Sequence, residues 1–131
     1  MASESLSEDA KQIVGAMREL IENKIATKEE KVGEEVWKYA GKDFSRELTK
    51  LEREMSKDGK KVIECNAYHC VRGANIKNPT GGLFLIPVNG TPTLIQGDPL
   101  LPGSSYFFEN QASLFGDRID IVTVVLANNK K

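Results

Sequence analysis

Cysteine is scarce in this chain, charge of either sign is barely in excess, and no apolar run is long. Two cysteines in 131 residues exclude a disulfide scaffold and fit a reducing compartment. A net charge of -1 excludes a generally basic nucleic-acid binder, so nucleic acid is an unlikely partner. The longest apolar runs, Leu83–Val88 and Val124–Ala127, are far too short to span a bilayer, and no membrane partner is expected. Met1–Ser5 lacks the basic and apolar regions of a secretory signal. The expected location is therefore the cytoplasm or the inside of a particle, with no secretion by a signal peptide.

What is present is distributed unevenly. Residues 1–61 carry 13 Lys and Arg and 14 Asp and Glu, whereas residues 62–131 carry five of each sign. The first half can be solvated along one face. The second half has little charge with which to solvate a large free surface, which suits either an interface core or a sheet covered by its own helices.

Leu6, Ala10, Ile13, Val14, Met17, Leu20 and Ile21 fall at helical spacing behind a capping box, Ser5-Leu6-Ser7-Glu8, and predict a helix over about 6–24. Thr27-Lys28-Glu29-Glu30 reads as a second capping box. It is followed by Val32, Val36, Trp37, Ala40, Phe44, Leu48, Leu51 and Met55, a stripe that predicts one long helix over 28–56 or two helices divided at Gly41-Lys42-Asp43. Trp37 and Phe44 are expected on its buried face. Glu34–Lys38 and Lys50–Glu54 are placed as ion pairs on its outer face.

After Ser56-Lys57-Asp58-Gly59 the period changes to two. Lys61–Arg72 alternates as a strand. Leu83–Val88 and Thr91–Gln96 flank Asn89-Gly90, the signature of a two-residue hairpin turn. Ser105–Asn110 carries Tyr106, Phe107 and Phe108. Arg118–Ala127 is apolar on both faces, as in a central strand. The expectation is an α+β fold: two or three N-terminal helices (1–60), then an antiparallel sheet or small β-sandwich of about five strands (61–131), as one structural domain.

Chemistry-bearing residues are few. Cys65, His69 and Cys70 form the only cluster of soft ligands. The two cysteines lie on opposite faces of the expected strand, with Cα atoms about 16 Å apart, so they neither share one metal ion nor bridge. His69 and Cys70 diverge as strand neighbours, and no Gly-x-Ser-x-Gly elbow occurs. Asn78-Pro79-Thr80-Gly81-Gly82 precedes a strand, whereas a phosphate cradle needs a helix after its glycines. No catalytic residue, metal or cofactor is assigned.

Three stretches, Asn78-Pro79-Thr80-Gly81-Gly82-Leu83, Leu100-Leu101-Pro102-Gly103-Ser104-Ser105-Tyr106-Phe107-Phe108 and Arg118-Ile119-Asp120-Ile121-Val122-Thr123-Val124, resemble the small β-sandwich domains of phage and virus-particle accessory proteins. The resemblance covers residues 78–126 and implies a structural, non-catalytic part in an assembly.

The expectation that follows is a non-enzymatic assembly or protein-interaction domain, homo-oligomeric or docked on another protein. Its contact surface is assigned to the uncharged hairpin Leu83–Gln96 and the stiff loop Asp98–Gly103 beside it, with Pro99, Leu100, Leu101, Pro102 and Tyr106 as the contact residues. The alternative is a small-ligand-binding or enzymatic α+β domain with a pocket near His69, recognisable by a deep pocket that reaches His69, Tyr68 or Tyr106.

Overall fold

The last strand organises the molecule. In a computed structural model describing residues 2–33, 35–57, 59–94 and 97–127, β10 (Ile119–Leu126) lies in the middle of a seven-stranded sheet. It pairs antiparallel on one side with β4 (Val62–Cys70) and on the other with β6 (Leu83–Asn89). Outside β4 come β3 (Val36–Ala40) and β2 (Thr27–Gly33). Outside β6 come β8 (Ser104–Phe108) and the N-terminal β1 (Ala2–Ser5). The expected two-sided burial of the last strand is met, because both faces of this sheet are covered.

Two helices cover one face. In α1 (Glu8–Glu22) the side chain of Ser7 accepts the Ala10 N–H at 3.1 Å, and Glu8 and Asp9 in the first turn suit the positive end of the helix dipole. The cap is thus Ser7, two residues past the Ser5 expected, because Ser5 is committed to the ladder with Ser104. In α2 (Lys42–Met55), Phe44 and Leu51 are fully buried. The helix ends are tied together where the Ser7 hydroxyl donates to Glu54 at 2.8 Å. The Lys57 ammonium, also at 2.8 Å, and then that bond hold the Glu54 carboxyl below its usual range. Ala10, Val14, Met17, Phe44 and Leu51 pack on Ala67, Phe84, Ile86, Val122 and Val124 of the sheet.

A small three-stranded sheet lies against the other face. It consists of β5 (Gly73–Ile76), β9 (Ala112–Phe115) and the two-residue β7 (Thr93–Leu94). A second core of Leu83, Leu85, Ile119, Ile121 and Val125 from the large sheet meets Leu94, Leu100 and Leu114 there. The layers are therefore helix, large sheet, small sheet.

Four expectations are corrected. The fold is not a helical half followed by about five strands: the described residues hold two helices and ten strands, three of the strands lie before residue 60, and the two halves share one sheet. Residues 27–40 form a β-hairpin, not helix. Val36, Trp37 and Tyr39 are β-branched or aromatic, and at period two they divide between the second core (Val36) and the helix-side core (Tyr39). Trp37 is accordingly half-buried on a strand, while Phe44 keeps its expected burial on a helix. Asn89-Gly90 is not the turn of a two-residue hairpin. Gly90 takes the left-handed conformation the motif requires, with φ 77°, but β6 is apolar on both faces and takes the slot between β8 and β10, so the chain leaves for the other sheet. Of the two ion pairs, Lys50 meets Glu47 rather than Glu54, and Glu34 lies outside the described residues.

Candidate functional site

The assigned contact loop is built differently from its expectation. Leu100 is 0% exposed and belongs to the second core, whereas Leu101 is 53% exposed. Pro99 and Pro102 are exposed, and Tyr106 is buried. The loop is pinned from within: the Leu100 N–H donates to the Pro92 carbonyl and the Leu101 N–H to the Tyr106 hydroxyl, both at 2.7 Å. The exposure of Leu100 is thus corrected. The alternation that places every second strand residue outward does not govern a loop folded over a sheet, and an apolar residue between two prolines is free to turn in.

Two concave sites lie elsewhere. The larger is a cleft of about 840 Å³ between the two sheets. Val36, Tyr68, Leu83, Thr123 and Val125 from β3, β4, β6 and β10 form its floor, and Ala74, Ile76, Leu114 and Phe115 from β5 and β9 form its wall. The period-two reading of Lys61–Arg72 accounts for the floor, since it sends Glu64 and Tyr68 to one face and Cys65 and Ala67 to the helices. At the mouth stand Arg72, Lys77 and Glu64. Arg72 is only loosely engaged, its side chain 85% exposed and 3.5 Å from Glu35. The Ser113 hydroxyl donates to Asn75 Oδ1 at 2.6 Å. Thr123 is buried on a central strand and makes no side-chain hydrogen bond with the described residues, so its hydroxyl is available to an occupant of the cleft.

The second site lies on the helix-side face. Strand register sets Trp37, His69, Asp120 and Asn89 side by side across β3, β4, β10 and β6. Asp120 is the carboxylate at the centre. Its Oδ1 accepts the Tyr39 hydroxyl at 2.5 Å and pairs with His69 Nδ1 at 2.8 Å, and its Oδ2 accepts the Asn89 amide at 3.1 Å. Burial, and then the bond to Asp120, drive the Tyr39 phenol well above its ordinary range, so it stays a donor. The Tyr39 hydroxyl and His69 Nδ1 both donate to one oxygen, and their 3.3 Å contact is therefore not a bond between them. The side chains of His69 and Asp120 are only 13% and 7% exposed. His69 borders a depression of about 490 Å³ with Lys28, Trp37, Val71 and Arg118.

Cys65 and Cys70 face opposite cores, as the alternation predicts. Burial is the main cause that pushes each thiol up to about 12, helped by Glu52 at Cys65 and by Asp120 at Cys70, so neither is a ready nucleophile.

Of the three residues named as marks of a pocket, Tyr68 lines the cleft and His69 the depression, from opposite faces of one strand, while Tyr106 lines neither. Asp120, Tyr39 and Asn89 were not singled out by the sequence. One signal existed: Asp120 is the only charge within Ile119–Leu126, a strand that needs cover on both faces, and such a carboxylate needs partners. No protein-family profile, curated protein or solved structure matches the chain.

Proposed function

We propose that this chain is a small-ligand-binding domain and that the cleft between its sheets takes an amphipathic anion, an aromatic or aliphatic body with one acidic group. The observation that carries this reading is the cleft itself. At about 840 Å³ it has the size of a small-molecule site, and its lining is apolar and polar in comparable measure, as an amphipathic occupant requires. Val36, Leu83, Leu114, Phe115 and Val125 suit an apolar body. The Thr123 hydroxyl supplies an interior hydrogen bond, and Arg72 and Lys77 at the mouth outnumber Glu64 for an acidic group. The contact surface expected for an assembly was the Leu83–Gln96 hairpin with the loop at 98–103, and Leu83–Asn89 lies inside the sheet between β8 and β10. With Leu100 in the core, Leu101 is that loop's one large exposed apolar side chain, which is little for an interface core. The unbridged thiols suit a reducing compartment.

The test uses an aromatic sulfonate, 1-anilinonaphthalene-8-sulfonate, titrated into the native protein and followed by calorimetry. One saturable site is expected. Ala74→Trp, which fills the cleft, should abolish it, and Arg72→Glu should weaken it several-fold while circular dichroism stays unchanged. Absence of saturable binding, or equal binding by both folded variants, overturns the proposal.

A further inference from the structure

The row across the helix-side face carries a second, independent site. Tyr39 and His69 both donate to Asp120 Oδ1, so the proton on Nδ1 is committed inward. In the neutral ring the second nitrogen, Nε2, then keeps its lone pair. It makes no hydrogen bond with the described residues, and the ring borders the depression. A carboxylate that fixes an imidazole in this way is the arrangement that orients a histidine toward something outside the fold. Among the described residues no serine, threonine or cysteine lines the depression, which points to a partner from outside the chain.

Two cations complete the surroundings. Lys28 lies opposite Tyr39 in the register of β2 and β3, which brings it to the same face. Arg118 precedes β10 in a left-handed conformation, φ 54°, its N–H held by the Val71 carbonyl at 2.9 Å. Neither has an ion-pair partner among the described residues. A non-glycine residue in that conformation is held at some cost and does not arise by default. Trp37 forms an apolar side of the depression, with the Lys31 ammonium 5.4 Å from its ring centroid.

We propose that this depression binds a phosphate-class oxyanion, one that carries both negative charge and an acidic hydroxyl. The charge is taken by Lys28 and Arg118, and the P–OH group donates to His69 Nε2. A carboxylate or a sulfate at neutral pH brings charge but no proton, and leaves the lone pair of the imidazole unmet. The chemistry is shared by inorganic phosphate and by a phosphate monoester in its monoanionic form, and titration at about pH 6, where both carry a P–OH, separates them.

The site reports on itself, because His69 is the sole histidine and Trp37 the sole tryptophan. The native protein is titrated with inorganic phosphate at constant ionic strength. Trp37 fluorescence and the long-range ¹H–¹⁵N spectrum of the His69 ring are recorded. The free protein should show the Nδ1–H tautomer. Phosphate should give a saturable fluorescence change and shift Nε2, with sulfate weaker by about tenfold, the worth of one hydrogen bond to a charged group. Lys28→Gln and Arg118→Gln should each lose about as much. His69→Phe, which removes the acceptor and keeps a ring, should in its folded form bring phosphate down to the level of sulfate. Tighter binding of glucose 6-phosphate than of phosphate would assign the site to a monoester, and equal binding to the free ion. An Nε2–H tautomer in the free protein, equal response to sulfate and phosphate, or unchanged affinity in the folded Lys28→Gln and Arg118→Gln variants overturns the proposal. Ala74→Trp should leave phosphate binding intact, which keeps this result separate from that of the cleft.

Discussion

Removing one oxygen tests the buried network at its centre. Tyr39→Phe deletes the hydroxyl that donates to Asp120 at 2.5 Å and keeps the ring, whose centroid lies 5.5 Å from that of Phe44. The change therefore creates almost no cavity, and its cost is the cost of the bond. Hydrogen bonds to charged groups contribute about 1.5–3 kcal/mol. The carboxylate would still hold His69 at 2.8 Å and Asn89 at 3.1 Å, so it is not orphaned, and the lower part of that range applies. The expected loss is about 2 kcal/mol, a sizeable fraction of a total stability of about 5–15 kcal/mol. Urea unfolding followed by circular dichroism should show a lower midpoint with an unchanged slope, and Tm should fall by about 6 °C. Asp120→Ala strands three donors at once and should cost more, about 3–5 kcal/mol. A loss below about 0.5 kcal/mol for Tyr39→Phe, or a smaller loss for Asp120→Ala than for Tyr39→Phe, would refute the argument that Asp120 is the hub.

Two neighbouring leucines should separate cleanly. Leu100→Ala, at a fully buried position, is expected to cost about 2–5 kcal/mol, whereas Leu101→Ala at 53% exposure should stay within about 0.5 kcal/mol, both read by urea unfolding. The thiols predict an alkaline loss of stability. Both stand at about 12 in the fold against an ordinary 9.0, so the folded chain binds more protons between those values. Their contribution is complete below about pH 9 and is lost as pH climbs towards 12, and the raised Tyr39 phenol acts in the same direction. Unfolding midpoints measured across that window should fall, and fall less steeply in a Cys65→Ala, Cys70→Ala variant. Below pH 9 both thiols should resist alkylation until urea unfolds the chain.

Several features were decided locally and could be read from neighbouring residues. The apolar stripe of α1, the burial of Phe44 and Leu51, and the opposite facing of Cys65 and Cys70 follow from period and alternation alone. So does the place of Ile119–Leu126, because a strand apolar on both sides can only sit where both sides are covered. Residues 27–40 were not decided locally. Spacings of three and four fit a helix, yet Trp37 and Tyr39 also fit one face of a strand, and the choice falls to β4, which offers β3 a ladder from a segment some thirty residues on. Leu100 was turned inward by β9 and β10, and no local pattern contains those partners. The buried network is the extreme case: Tyr39 and Asp120 lie 81 residues apart, and neither carries any mark of the other. Sequence by itself determines which side chains need cover or a partner, since that is a property of each residue and its near neighbours. Which partner answers is set by strand register across the sheet, and that exists only once the chain has folded.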